Sequence, residues 1–189
     1  MTAPSGGIHI MHPIQSKPEI ISALQDSERR AQAWFSAIPG EGYFTRHGEV
    51  WSASDNVDHM IKAVKPIVKA LKLPGIALQA VFGKADKPSR TYEEVCKTYR
   101  DEIAKGAKAS GRFLPNEDVP EENREAFKEQ QLQQLSKAVA DLVSACENWD
   151  EAALDQFQIP HPIMGNLTIR EMLFFTIYHN LRHASQEGD

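Results

Sequence analysis

Apolar positions recur at helical spacing in five stretches of this chain. In the first, Ile20, Ile21, Leu24, Ala31, Trp34, Phe35 and Ile38 fall along one side, which predicts a helix over 18–38 that Pro39, Gly40 and Gly42 end. In the second, over 53–72, Val57, Met60, Val64, Ile67 and Leu71 follow at alternating steps of three and four, with Ile61 and Val68 widening the stripe. Ser52 and Asp55 form a capping box ahead of it, with Asp in the place of the usual Glu or Gln. Pro66 falls inside this pattern and predicts a kink, because it lacks a backbone donor and crowds the preceding turn. Thr91 and Glu94 cap a third segment, 92–108, with Val95, Cys96, Tyr99 and Ile103 on one side.

The longest pattern predicts a helix over 121–148, with Pro120 as a first helical residue. Its seam of Leu132, Leu135, Val139, Leu142, Cys146 and Trp149 suits bundle packing at crossing angles near 20°. Thr168 and Glu171 open the last helix, 169–186, which places Met172, Phe175, Thr176, His179 and His183 on one face. The intervening stretches 73–91, 111–119 and 150–167 read as loops, and the first of these carries an apolar patch from Ile76 to Phe82 suited to packing over a bundle end. Residues 1–15 read as an irregular start, and no convincing strand alternation occurs.

The prediction is therefore a single all-α domain over 1–189, a four-helix bundle. Short links make antiparallel neighbours and a long one permits a parallel crossover, so the expected order is up-down-down-up, with 92–108 decorating the long crossover.

A chain of 189 residues with 41% hydrophobic and 25% charged positions is ordinary for a globular protein and needs no disulfide or metal in order to fold. Its net charge of −5 leads to the expectation of no nucleic-acid partner, since sequence-independent binding draws on a basic surface. No stretch approaches the ~20 apolar residues that span a bilayer, so no membrane partner is expected either. The first residues hold no Lys or Arg before Lys17 and no apolar core of a secretory signal, which points to a cytoplasmic protein. Cys96 and Cys146 fall on apolar helix sides and read as buried free thiols.

Seven histidines carry the candidate chemistry. His179 and His183, four apart on one helix, place their Cβ atoms about 5–6 Å apart, within reach of a single ion. The intervening Asn180-Leu181-Arg182 lacks the Glu that a zincin uses as general base, and Thr176 stands where a di-iron carboxylate bundle would carry its Glu. His59 lies about two turns into the second helix. If that helix runs antiparallel to the last, all three imidazoles meet at one end of the bundle, and three ligands leave coordination positions open. Asp55, one turn before His59, is a candidate to orient its ring, although a first-turn acid is also simply favourable at that end of a helix. Gln186, Arg170, Arg182, Trp34 and Trp51 are supporting candidates with ordinary structural explanations. Glu171 reads as a cap, His161 as part of a loop turn, and His9, His12 and His47 as unconnected to the triad.

Two segments resemble the DinB/YfiT-like metalloenzyme family. Trp51-Ser52-Ala53-Ser54-Asp55-Asn56-Val57-Asp58-His59-Met60 is similar to the opening of its second bundle helix. His161-Pro162-Ile163-Met164-Gly165-Asn166-Leu167-Thr168-Ile169-Arg170-Glu171-Met172, followed by Tyr178-His179-Asn180-Leu181-Arg182-His183, is similar to the entry and close of its last. The resemblance implies a divalent ion such as nickel or zinc held by His59, His179 and His183. It also implies a homodimer and, by analogy with bacillithiol- and mycothiol-dependent relatives, a low-molecular-weight thiol transferred to a small electrophilic substrate. The helical insertion at 92–108 departs from the family pattern near the expected substrate pocket. Three readings stay open at this point: a metal-dependent thiol S-transferase, a metal-dependent hydrolase, and a non-catalytic metal-binding or structural dimeric bundle.

Overall fold

A computed structural model describes residues 13–116 and 118–185. Among them the chain runs α1 (Lys17–Ala37), α2 (Gly40–Phe44), α3 (Ala53–Leu71), α4 (Gly75–Phe82), α5 (Tyr92–Ala104), a 3₁₀ turn (Gly111–Phe113), α6 (Arg124–Glu147), α7 (Ala153–Gln156), strands β1 (Gln158–His161) and β2 (Gly165–Thr168), and α8 (Ile169–His183). The fold is all-α in character, with one small antiparallel hairpin added.

The helix starts follow the capping chemistry of the sequence. The side chains of Ser52, Thr91 and Thr168 accept from the amides of Asp55, Glu94 and Glu171, whose carboxylates bond back to the cap residues. A fourth such device opens α1, where Glu19 accepts from the amides of Gln15 and Ser16 at 3.0 and 2.8 Å.

Hydrogen bonds between the long helices give their directions. Lys17 Nζ donates to the carbonyls of Glu147 and Trp149 at one end of the α1–α6 pair. Lys128 Nζ donates to those of Ser36 and Ile38 at the other, so the two helices run antiparallel. Ser54 bonds Gln131 at 2.9 Å, and Trp149 Nε1 donates to the Leu71 carbonyl at 2.9 Å, so α3 and α6 run parallel. Arg170 donates to the Gln15 carbonyl and Asn180 to Ser27, which sets α8 parallel to α1 and antiparallel to α3. Leu24, Phe35, Met60, Leu135, Leu142 and Phe174 fill the space between the four.

Several boundaries depart from the periodicity. Every residue of α8 from Ile169 to Leu181 is buried, so it is a central helix rather than one with a single inward face. α1 and α3 cover one side of it, and α5 covers another through Tyr92 against Phe174 and Tyr99 against Phe175. The segment expected to decorate the crossover is thus part of the packed structure, and it ends at Ala104, ahead of Gly106 with φ of 93°. Pro120 lies outside α6, which starts at Arg124 behind Asn123 in the left-handed region. α3 continues as one helix through Pro66. The apolar patch after residue 73 forms α4, which buries Leu78 and leaves Ile76 and Val81 exposed.

The stretch expected to be loop at 150–167 contains α7 and the hairpin, with Ile159 paired to Leu167 and His161 to Gly165. Four-residue strands with Pro160 in one of them are too short for alternation to register. No helix among the described residues is long and apolar enough to cross a membrane.

Candidate metal centre

The antiparallel pairing of α3 with α8 sets His59, near the start of one helix, opposite the end of the other. A ligand atom from each of His59, His179 and His183 lies within 4.8 Å of the other two. His59 Nε2 is 3.0 Å from His179 Nε2, and His183 Nε2 is 3.2 Å from the same atom.

The outer ring nitrogens fix what the inner ones carry. Asn56 Nδ2 donates to the Ser52 carbonyl at 2.8 Å, which turns its Oδ1 toward His183 Nδ1 at 2.7 Å. That nitrogen therefore bears a hydrogen. His59 Nδ1 likewise donates to the Phe113 carbonyl at 2.8 Å. Neutral rings held this way present bare Nε2 lone pairs inward, and His179 has at most one hydrogen to share between them. Two lone pairs and a third nitrogen facing one another suit a cation. Ligand nitrogens about 2.0–2.1 Å from zinc in a tetrahedral set lie roughly 3.3 Å apart, close to the separations seen.

Burial favours the same protonation state. It pushes the His59 pKa below its ordinary value, against the opposing pull of the Phe113 carbonyl. Burial, and then the charge of neighbouring histidines and Arg182, holds His179 and His183 well below theirs. The triad is neutral at pH 7, the form that ligates.

The 3₁₀ turn that supplies the Phe113 carbonyl is clamped to α3 from both sides. Lys62 donates to the Leu114 carbonyl at 2.7 Å and to Asn116, while Asp58 accepts from the Asn116 amide at 2.7 Å. Trp51 sets its ring 5.0 Å from that of His59, and Phe175 sets its ring 4.9 Å from that of His179. Beside the triad opens a mostly apolar cavity between α3, α5, the 3₁₀ turn, the hairpin and α8, with His59 and His179 in its wall.

His161 is part of the hairpin turn, as its position in the sequence suggested, and also lines that cavity. Its Nδ1 accepts from the amides of Ile163 and Met164, its ring packs 4.3 Å from Phe175, and burial brings its pKa down to about 4. Its place in the cavity wall, the Phe113 carbonyl and the orienting Asn56 all escape sequence reasoning. The one hint was that Asn56 stands three residues before His59, on the same helix face.

Other candidates fall elsewhere. Asp55 does not orient His59, because both its oxygens are taken by Arg46 at 2.6 Å and one also by Ser52. Burial raises its pKa, yet these hydrogen bonds and the Arg46 charge bring it below its ordinary value. Arg170 is buried and structural, held by Asp155 and Glu151, and Glu171 pairs with Arg90 besides capping α8. Arg182 lies over the Tyr99 ring. Trp34 packs half-buried against the core, and His47 is exposed in a bridge with Val50. His9, His12 and Gln186 lie outside the described residues. Cys96 and Cys146 are free and buried, and burial pushes both thiols up to about 11, so neither is a nucleophile.

No curated protein matches this chain. Among solved structures, it is similar to the colibactin self-resistance protein ClbS crystallised in complex with a double-stranded DNA. That protein is 14% identical, with 90% of this chain and 92% of that one covered and a TM-score of 0.43. So distant a likeness places no ligand here. The exclusion of nucleic acid drawn from net charge does not stand on that charge alone. Net charge averages the whole surface, whereas phosphate contacts are local. Residues 23–186 match the DinB superfamily, which takes in α3, α8 and the three converging histidines, and the chain is a member of that superfamily.

Proposed function

We propose that this protein is a divalent-metal-dependent enzyme in which His59, His179 and His183 hold a zinc, nickel or similar ion and a small thiol is the group transferred. The observation that carries the reading is the pair of fixed tautomers: Asn56 and the Phe113 carbonyl aim two bare Nε2 atoms at one point beside His179. Such an ion lowers the pKa of a thiol or water that reaches it, which supplies a nucleophile at neutral pH. The chain's own residues do the rest. Three neutral imidazoles leave the dication's charge uncompensated, which suits an anionic sulfur. The apolar wall of Phe175, Ile103 and Ile67 excludes water from the other reactant.

The thiol is favoured over water because three neutral imidazoles suit an anionic sulfur and no carboxylate lines the cavity, where a base assisting hydrolysis would have to reach the water. A purely structural role is disfavoured by the cavity that opens directly beside the histidines.

Elemental analysis of protein purified without a His-tag tests the centre. About one divalent ion per chain is expected, lost in His59→Ala and His183→Ala variants that keep their helical circular dichroism. With cobalt in place of the native ion, addition of small thiols should alter the visible spectrum. A spectrum indifferent to every thiol tried would rule out the transferase reading while leaving the metal site intact.

A further inference from the structure

We infer that the cavity beside the histidines binds a small organic anion, an apolar body carrying a carboxylate or a group like it. The inference deepens the proposed function and rests on it for the claim that this anion is the reacting partner.

The lining is one-sided in charge. Ile67, Ile103 and Phe175 make an apolar wall, and no Asp or Glu lines the cavity, whereas Lys108 and Arg112 both do. Both cations are exposed, Lys108 on the segment between α5 and the 3₁₀ turn and Arg112 within that turn, and neither makes an ion pair among the described residues. Arg112 instead lies 5.0 Å over the ring of Phe113, the residue whose carbonyl holds His59. Asp58, the acid closest in sequence to the triad, is taken up by Lys62 and the Asn116 amide.

Deeper in, His161 adds a donor. Its Nδ1 accepts from two backbone amides, so the neutral ring carries its hydrogen on Nε2, for which the described residues supply no acceptor. An oxygen of the ligand would satisfy it. The cavity thus offers apolar contact, one fixed N–H and two cations without an ion-pair partner among the described residues, a set that rejects amines and accepts acids.

Titration calorimetry of full-length, metal-stripped protein with phenylacetate, phenylacetamide and phenethylamine tests this with the centre empty. Phenylacetate should bind about fivefold tighter than the amide, the scale of one or two exposed charge contacts, and the amine most weakly. The margin should shrink in about 1 M salt, where the screening length is ~3 Å. In Lys108→Ala/Arg112→Ala, acid and amide should bind equally. In His161→Phe both should weaken, since each presents an oxygen, while the amine is unchanged. Equal binding of all three compounds, an acid preference that survives the double variant, or no binding to the metal-stripped protein would each overturn the inference. Failure of the protein to take up metal would instead remove the proposed function and leave a charge-selective cavity.

Discussion

Asn56 shows how one side chain decides the state of a centre it does not join. Its amide hydrogens go to the Ser52 carbonyl, so its oxygen faces His183 and the ring hydrogen must lie on Nδ1. Replacing it with alanine should leave the fold in place and free the imidazole to rotate and change tautomer. Orienting partners of this kind are worth about 10–100-fold in metal affinity. Asn56→Ala should therefore weaken zinc binding by roughly that factor in a chelator competition, with little change in melting temperature. Unchanged affinity would mean that the lone pairs are not aimed by this contact. The residue was readable in the sequence only as a polar position on the second helix. Nothing local distinguishes an amide that meets the last helix from one that meets solvent.

At the scale of elements, the capping boxes set where the site-bearing helices start, and so which turn carries each histidine. Asp55 belongs here rather than among the residues of the centre. It closes the first turn of α3 through Ser52 and ties the preceding segment down through Arg46. Asp55→Ala removes the reciprocal half of the cap and leaves the Arg46 guanidinium without this carboxylate. A loss of about 1–3 kcal/mol in urea unfolding is expected, with metal content still near one ion per chain. Loss of metal from a variant that remains folded would return Asp55 to the orienting role that its spacing suggested. Caps were legible because they are local patterns of a few residues. The hairpin of β1 and β2 was not, because each strand offers only four positions and its pairing is decided by how Phe157 and Ile169 bring the chain back toward α8.

For the whole molecule, four histidines packed without charge make the metal-free fold sensitive to acid. His59, His161, His179 and His183 all have pKa values below the ordinary 6.5 in the folded state, His161 at about 4. Below 6.5 the unfolded chain takes up protons that the folded one refuses, so stability falls as pH drops from about 6.5 toward 4. His161 alone corresponds to up to about 3 kcal/mol across that window, at 1.36 kcal/mol per unit. Urea denaturation of metal-stripped protein across these pH values should show the decline, and His161→Gln should flatten part of it. A stability that stays constant from pH 7 to 4.5 would mean these rings are not buried neutral.

What the sequence determined by itself was everything whose period is shorter than a helical turn or two: the five long helical patterns, three of their caps, the i, i+4 pair His179 and His183, and the buried character of Cys96 and Cys146. Side-chain spacing at 3.6 residues per turn fixes these before any packing occurs. The tertiary structure decided the rest. It set which turn of α3 faces α8 and so the 3.0 Å approach of His59 to His179 across 120 residues. It buried α8 on all sides, brought the Phe113 carbonyl in from a 3₁₀ turn, and lined the cavity with His161 and two exposed cations. Contacts between distant segments depend on how helices pack side by side and where loops settle, which is set by the burial of many side chains at once and written in no single stretch of chain.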